Sequence, residues 1–169
     1  MSATGSRGTS LIELLVALAI VAVLVASVRL VFPDTGARRA EDDSERLQAL
    51  LQLACERAEL SGLAMGVGLA RDRVAFGPLR TGRWSPLPRT SADVLRERTF
   101  EPGLELGLQV DGVVGYLPVA LPRQPQLACS GSGELSRFRL DFRGPSGASW
   151  HLRHGEDGRI ERQRNDGDG

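Results

Sequence analysis

The chain has no lysine: all 21 of its basic residues are arginine, set against 21 acidic ones, so the formal net charge is zero. A balanced total lacks the positive excess by which a nucleic-acid binder displaces counterions, so no nucleic-acid partner is expected. Arginine is not required in place of lysine for solubility, and its exclusive use reads as codon bias rather than chemistry. Histidine is scarce too, with His151 and His154 alone. On a strand, residues three apart face opposite sides, so this pair cannot chelate one metal; surface histidines and no metal site are expected. No serine, cysteine or aspartate stands in a nucleophile motif, and no glycine-rich phosphate loop follows a strand. The residues therefore point to no catalytic constellation and no cofactor. Cysteine is limited to Cys55 and Cys129. In an oxidising compartment they can bridge; otherwise they are two buried thiols packing as small hydrophobes, and the sequence leaves both readings open.

What the chain does have is one long apolar run. Every residue from Leu14 to Ala26 is apolar, and Leu11 to Val28 is 18 residues with a single charge, Glu13. As a helix this stretch measures about 27 Å, just short of a bilayer core of about 30 Å. Leu30, Val31 and Phe32 extend it if Arg29 snorkels to the headgroups, and Pro33 ends it. A buried core helix of this length carries a polar face, and this one has none, so a membrane span over residues 9–32 is expected. A cleaved secretory signal fits less well. Ala26-Ser27-Val28 is the nearest approach to a small-x-small site, and Arg29 follows it directly. Glu13 costs about 2–3 kcal/mol within a membrane helix, less near the interface. It is either a headgroup-level or helix N-terminal acid, or one half of a pair with a positive group at its own depth.

The run from Arg7-Gly8-Thr9-Ser10-Leu11-Ile12-Glu13 to Ile20 resembles the class III leader and helix start of type IV pilins and type II secretion pseudopilins. The resemblance implies a leader, residues 1–8, cut after Gly8 by a prepilin peptidase at the cytoplasmic face, and N-methylation of Thr9. It also implies that Glu13 pairs with the new terminal amine of an adjacent subunit during assembly. Thr9 stands where the family usually has phenylalanine. Arg7 favours a cytoplasmic N-terminus, but Arg29, Arg38 and Arg39 follow the span, and the positive-inside rule alone does not choose the topology. The leader decides it: a single pass through the bacterial inner membrane, with the globular part in the periplasm.

Beyond the span, Asp34-Thr35-Gly36 reads as a turn and Glu41-Asp42-Asp43 as an acidic cluster. Ser44 to Leu60 has Leu47, Leu50, Leu51, Ala54 and Ala58 at helical spacing, and Ser61-Gly62 as a stop, so residues 33–62 are expected to hold an amphipathic helix. The period then changes to two. Strands are expected at Met65–Leu69, Val74–Phe76, Leu104–Val110, Tyr116–Leu121, Gln126–Cys129 and Phe138–Phe142. Trp150 and Leu152 pair with Ile160 across a turn at Asp157-Gly158, and Asp111-Gly112 marks a hairpin. Gly77 to Asp93 reads as loop, with Trp84 and Leu87 tucked onto the core. The expected class is α+β: a long N-terminal helix packed on an antiparallel β domain over residues 63–164, with a flexible tail at 165–169. Asp166-Gly-Asp168-Gly169 lacks the later acidic ligand of a calcium loop and reads as part of that tail.

Glu45–Leu51 through Glu59–Gly62, Arg83-Trp84-Ser-Pro-Leu-Pro88 and Ser132–Phe138 are similar to the protein H family of minor pseudopilins of type II secretion, although Arg137 stands where that family often has proline. This resemblance implies a structural subunit of a short periplasmic filament that helps export folded proteins. Its implied partners are other minor and major pseudopilins, the prepilin peptidase and the inner-membrane assembly platform. A minor pilin of a type IV pilus shares the layout. A membrane-tethered periplasmic enzyme or binding module is the reading from another class, and would need a pocket with convergent polar groups.

Overall fold

The computed structural model describes residues 11–31, 35–155 and 157–165, with side chains described on the first helix as far as Leu24 and resuming at Arg38. The chain divides into two compact units, residues 1–35 and 36–169. In the first, α1 runs Leu11–Val31. α2, Thr35–Ser61, carries the chain into the second unit.

α2 starts well before the Ser44 expected from sequence, so Thr35 and Gly36 are helical rather than part of a turn, and the acidic cluster lies within the helix. The reason is tertiary. Ala40, Asp43 and Ser44 are buried and continue the stripe of Leu47, Leu50, Leu51, Ala54 and Ala58 by one further turn. The burial is secured by hydrogen bonds, Ser44 Oγ donating to Glu41 C=O at 2.7 Å and Asp43 accepting from Glu101 N–H at 2.8 Å, and these contacts offset the poor helix propensity of a glycine and two aspartates.

The expected β domain is two antiparallel sheets. The first contains β1 (Met65–Leu69), β2 (Arg73–Arg80), β3 (Arg83–Trp84), β4 (Arg98–Thr99) and β7 (Leu127–Cys129), in the order β3-β2-β1-β7 with β4 also on β2. The second contains β5 (Glu105–Val110), β6 (Val113–Gly115), β8 (Phe138–Arg143), β9 (Ser149–His154) and β10 (Ile160–Asn165), in the order β10-β9-β8-β5-β6. The residues of both sheets and the α2 stripe form one core, held entirely within the second unit. That unit therefore has what it needs to fold on its own.

Several expected strands shift. The stretch read as loop from Gly77 supplies the end of β2 and all of β3, returning through a turn at Thr81-Gly82. Trp84 is buried as expected, with its ring lying over Gly66 and Gly68 of β1 and its Nε1–H donating to the Gly66 carbonyl at 3.2 Å. A Cβ on Gly68 would run into that ring, which is why this strand alternates valine and leucine with glycine. Tyr116–Leu121 is not a strand: Pro118 cannot donate to a ladder, and β6 ends at Gly115. Gln126 precedes β7 but still bonds β1: its backbone N–H donates to Val67 C=O at 3.0 Å, its Oε1 accepts from Leu69 N–H and its Nε2 donates to Leu69 C=O, both at 2.8 Å. Ile160 stands opposite His154, while Leu152 faces Arg162. Asn165, expected in the tail, closes β10, and residues 166–169 lie outside the described ones. The Asp111-Gly112 hairpin forms, with φ of 50° and 80° as a two-residue turn between twisted strands requires.

Polar contacts tie α2 to both sheets. Gln48 Nε2 donates to Ile160 C=O at 2.8 Å, Arg162 reaches Glu45 at 3.5 Å, and the same guanidinium stacks 4.6 Å from the Trp150 ring centre. Arg57 pairs with Asp93 at 2.7 Å, and Asp93 in turn accepts the N–H of the fully buried Leu95, which fixes the loop before β4. Asp43 Oδ2 accepts the Glu101 N–H at 2.8 Å.

Burial raises the Asp43 carboxyl above its ordinary value, and the hydrogen bond from Glu101 only partly offsets this. The folded state then holds the proton more tightly than the unfolded state. The stability this group contributes is fully present below the ordinary carboxylate range and is lost as pH rises through the raised value. Asp43→Asn keeps the acceptor oxygen without the buried charge. In urea unfolding of the second unit, it should be at least as stable as wild type at neutral pH, and the wild type should gain on it as the pH is lowered. Asp43→Ala removes the acceptor and should lose about 1–2 kcal/mol.

Candidate assembly site

α1 is the structure's most unusual surface. Its described side chains, Leu11 through Leu24, are exposed on every side of the helix, from 79% at Leu11 to 53% at Val16 among the large apolar ones. Water is a poor solvent for such a surface, so a helix that is apolar all round is built to be covered by lipid or by other helices. Glu13, in the first turn, is the one charge among those side chains and has no ion-pair partner among the described residues. A carboxylate placed there meets the positive end of the helix dipole. Gly8 and Thr9, the expected cleavage point, lie outside the described residues. Among the described residues, whose side chains on α1 run only as far as Leu24, no helix is long and apolar enough to cross a membrane.

Cys55 and Cys129 are joined by a disulfide, with a Cα separation of 5.0 Å across 74 positions of sequence. Spacing along α2 turns Cys55 toward β7, where Cys129 is fully buried. The bond therefore clips the helix to the outer strand of the first sheet. His151 and His154 do not converge. His151 is buried rather than on the surface as expected, 3.2 Å from Gln163 Oε1 and with no hydrogen-bond partner for its Nδ1 among the described residues, because Gln163 of β10 lies beside it, while half-buried His154 lies at the strand end. Among the described residues no group of three or more histidines, cysteines or acids is placed to hold a metal ion.

Sequence reasoning missed the residues that lock α2 in place. Arg162 and Asp43 look like surface charges in the sequence, since nothing in a polar strand or an acidic cluster distinguishes a buried contact. The one available signal was the helical spacing of Ala40, Asp43 and Ser44 ahead of Leu47.

Residues 4–28 match the family of the prokaryotic N-terminal methylation motif. Over 163 residues the chain is 34% identical to type II secretion system protein H of Pseudomonas aeruginosa, spanning 87% of this chain and 90% of that protein. The chain belongs to the type II secretion system protein H family, the minor pseudopilins of that system. It is also 29% identical to protein H of Escherichia coli over 140 residues, 79% of each chain. The fold matches that of the minor pseudopilin EpsH of the type 2 secretion system of Vibrio cholerae, with a TM-score of 0.61, 23% identity, and coverage of 76% of this chain and 99% of that one. A solution structure of E. coli GspH matches with the same TM-score and identity, over 80% of this chain and 96% of that one.

The disulfide offers a direct check on how the β domain is held. Denatured protein should take up alkylating reagent at Cys55 and Cys129 only after reduction, read as a mass shift. Replacing both residues with serine should lower the stability of the second unit by about 2–4 kcal/mol, measured by chemical denaturation.

Proposed function

We propose that this minor pseudopilin is a membrane-anchored structural subunit of a periplasmic pseudopilus, assembling with other pseudopilins to help move folded proteins across the outer membrane. The observation that carries the reading is α1: its described side chains, Leu11 to Leu24, are exposed on all sides and apolar apart from one carboxylate at the start, Glu13. At 1.5 Å per residue its 21 residues measure about 31 Å, the thickness of a bilayer core. In the membrane before assembly, lipid covers this surface; in the filament, neighbouring α1 helices do.

The leader motif supports cleavage by a prepilin peptidase after Gly8 and methylation of the Thr9 amine, with the second unit in the periplasm. The Cys55–Cys129 bond suits that oxidising compartment. Glu13 then serves as the registration charge. Desolvated among apolar helices, it is stable next to the terminal amine of an adjacent subunit and unfavourable elsewhere, so it selects one axial position for each incoming chain. The inner-membrane platform is where that addition takes place. The role is structural, with the second unit supplying lateral contacts and no chemical step. Relatives named for type II secretion favour this machine over a type IV pilus.

Two substitutions separate the steps. Gly8→Ala should leave full-length precursor in the membrane, seen as a product one leader heavier; normal processing would remove the leader assignment. Glu13→Ala should be cut and inserted normally but support little secretion, and undiminished export would remove the registration role.

A further inference from the structure

The two halves of the disulfide have different surroundings. Cys129 is fully buried. Met65 of β1 is its partner on one side, and an isolated bridge sets Leu135 against it on the other. Both neighbours are buried themselves, and α2 closes over the cysteine through the bond. Cys55 is only half-buried. It lines a groove of about 230 Å³ between α2, at Gln52 and Glu56, and the chain at Leu135, Arg159 and Ile160.

The difference matters for chemistry at sulfur. A disulfide forms or breaks when a thiolate attacks one sulfur of another disulfide, and the exchange passes through a mixed disulfide. The incoming group must reach the sulfur through space free of protein. The groove gives that space at Cys55, and the core denies it at Cys129. Both cysteines are also in place before the bond exists. The leucines of α2 and the ties of Gln48, Arg57 and Arg162 hold the helix against the sheets without it.

We propose that Cys55 is the thiol–disulfide exchange site of the folded second unit. A disulfide-bearing oxidant enters the groove beside α2 and forms its mixed disulfide there, and Cys129 resolves it from the buried side. In the reduced chain the Cys55 thiolate attacks one sulfur of the donor, and the donor's other sulfur leaves as a thiolate. The Cys129 thiolate then attacks Cys55 Sγ, making the native bond and releasing the second donor sulfur. Two electrons pass from the cysteines to the donor, and the two cysteine protons end on the donor's thiols. The inference requires only an oxidant of this class and does not rest on the pseudopilus reading.

The test uses the full chain in detergent, with glutathione disulfide as the oxidant; Cys55 and Cys129 are its only cysteines. Cys129→Ser leaves Cys55 as the single thiol, and Cys55→Ser leaves Cys129. Under native conditions the Cys129→Ser chain should take up glutathione at least about tenfold faster than the Cys55→Ser chain, and the difference should vanish in denaturant, where burial protects neither thiol. Each variant lacks the bond, so a second measurement keeps the native sequence. Reduced wild-type chain is mixed with glutathione disulfide, quenched in acid at successive times and mapped by peptide mass. Glutathione should appear first on the Cys55 peptide and then give way to the Cys55–Cys129 bridge. Equal native rates in the two variants, first appearance of glutathione on Cys129, or no uptake at either cysteine until the chain is denatured would overturn the assignment.

Discussion

Everything in the second unit depends on one helix face being shared by two sheets. α2 inserts Leu47, Leu50, Leu51, Ala54 and Ala58 into a core that also takes Val67 and Phe76 from the first sheet and Leu140, Phe142 and Leu152 from the second. Neither sheet buries its inner face without the helix, and the helix has little intrinsic preference to form alone, with a glycine and a run of acids in its first half. Phe100 and Phe142, edge to face at 5.9 Å, close the seam where the sheets meet directly. The polar ties of Gln48, Arg57 and Arg162 then set the helix along a single line. A one-turn slip would lose them together and leave Asp93 and Trp150 without their partners.

Much of this was legible in sequence because it follows from periodicity. The leucines of α2 repeat at three and four, Leu106 and Leu108 repeat at two, and Asp111-Gly112 is the residue pair that a positive-φ turn selects. What was not legible depended on residues far apart in the chain. The first two turns of α2 form because Asp43 and Ala40 find burial against chain arriving much later. β3 forms because Trp84 has two glycines to lie on, and β4 is too short to carry any pattern. The missing strand at Tyr116–Leu121 is the reverse case: a short apolar run suggested pairing, but Pro118 and the capture of two carbonyls by Arg71 hold that stretch off the sheet.

For the assembly site, the legible part was chemical rather than geometric. A single carboxylate near the start of an apolar run, Glu13, is visible in the sequence, and so is the glycine before that run, Gly8. The surface of the β domain was not visible in this way. Val113 and Val114 look like ordinary strand residues until the sheet order places them in the edge strand β6, unpaired on its far side among the described residues. The contrast with the charged β10 emerges only once both strands are known to bound the same sheet.

The disulfide divides the domain in a further respect. The bond from Cys55 to Cys129 encloses β1 through β7, while β8, β9 and β10 follow it in the chain and are held to α2 by side-chain contacts alone. The covalent loop therefore restrains the unfolded chain only as far as β7. Reduction would loosen the tie between α2 and the first sheet, while the last three strands, outside the loop, would keep every contact they have.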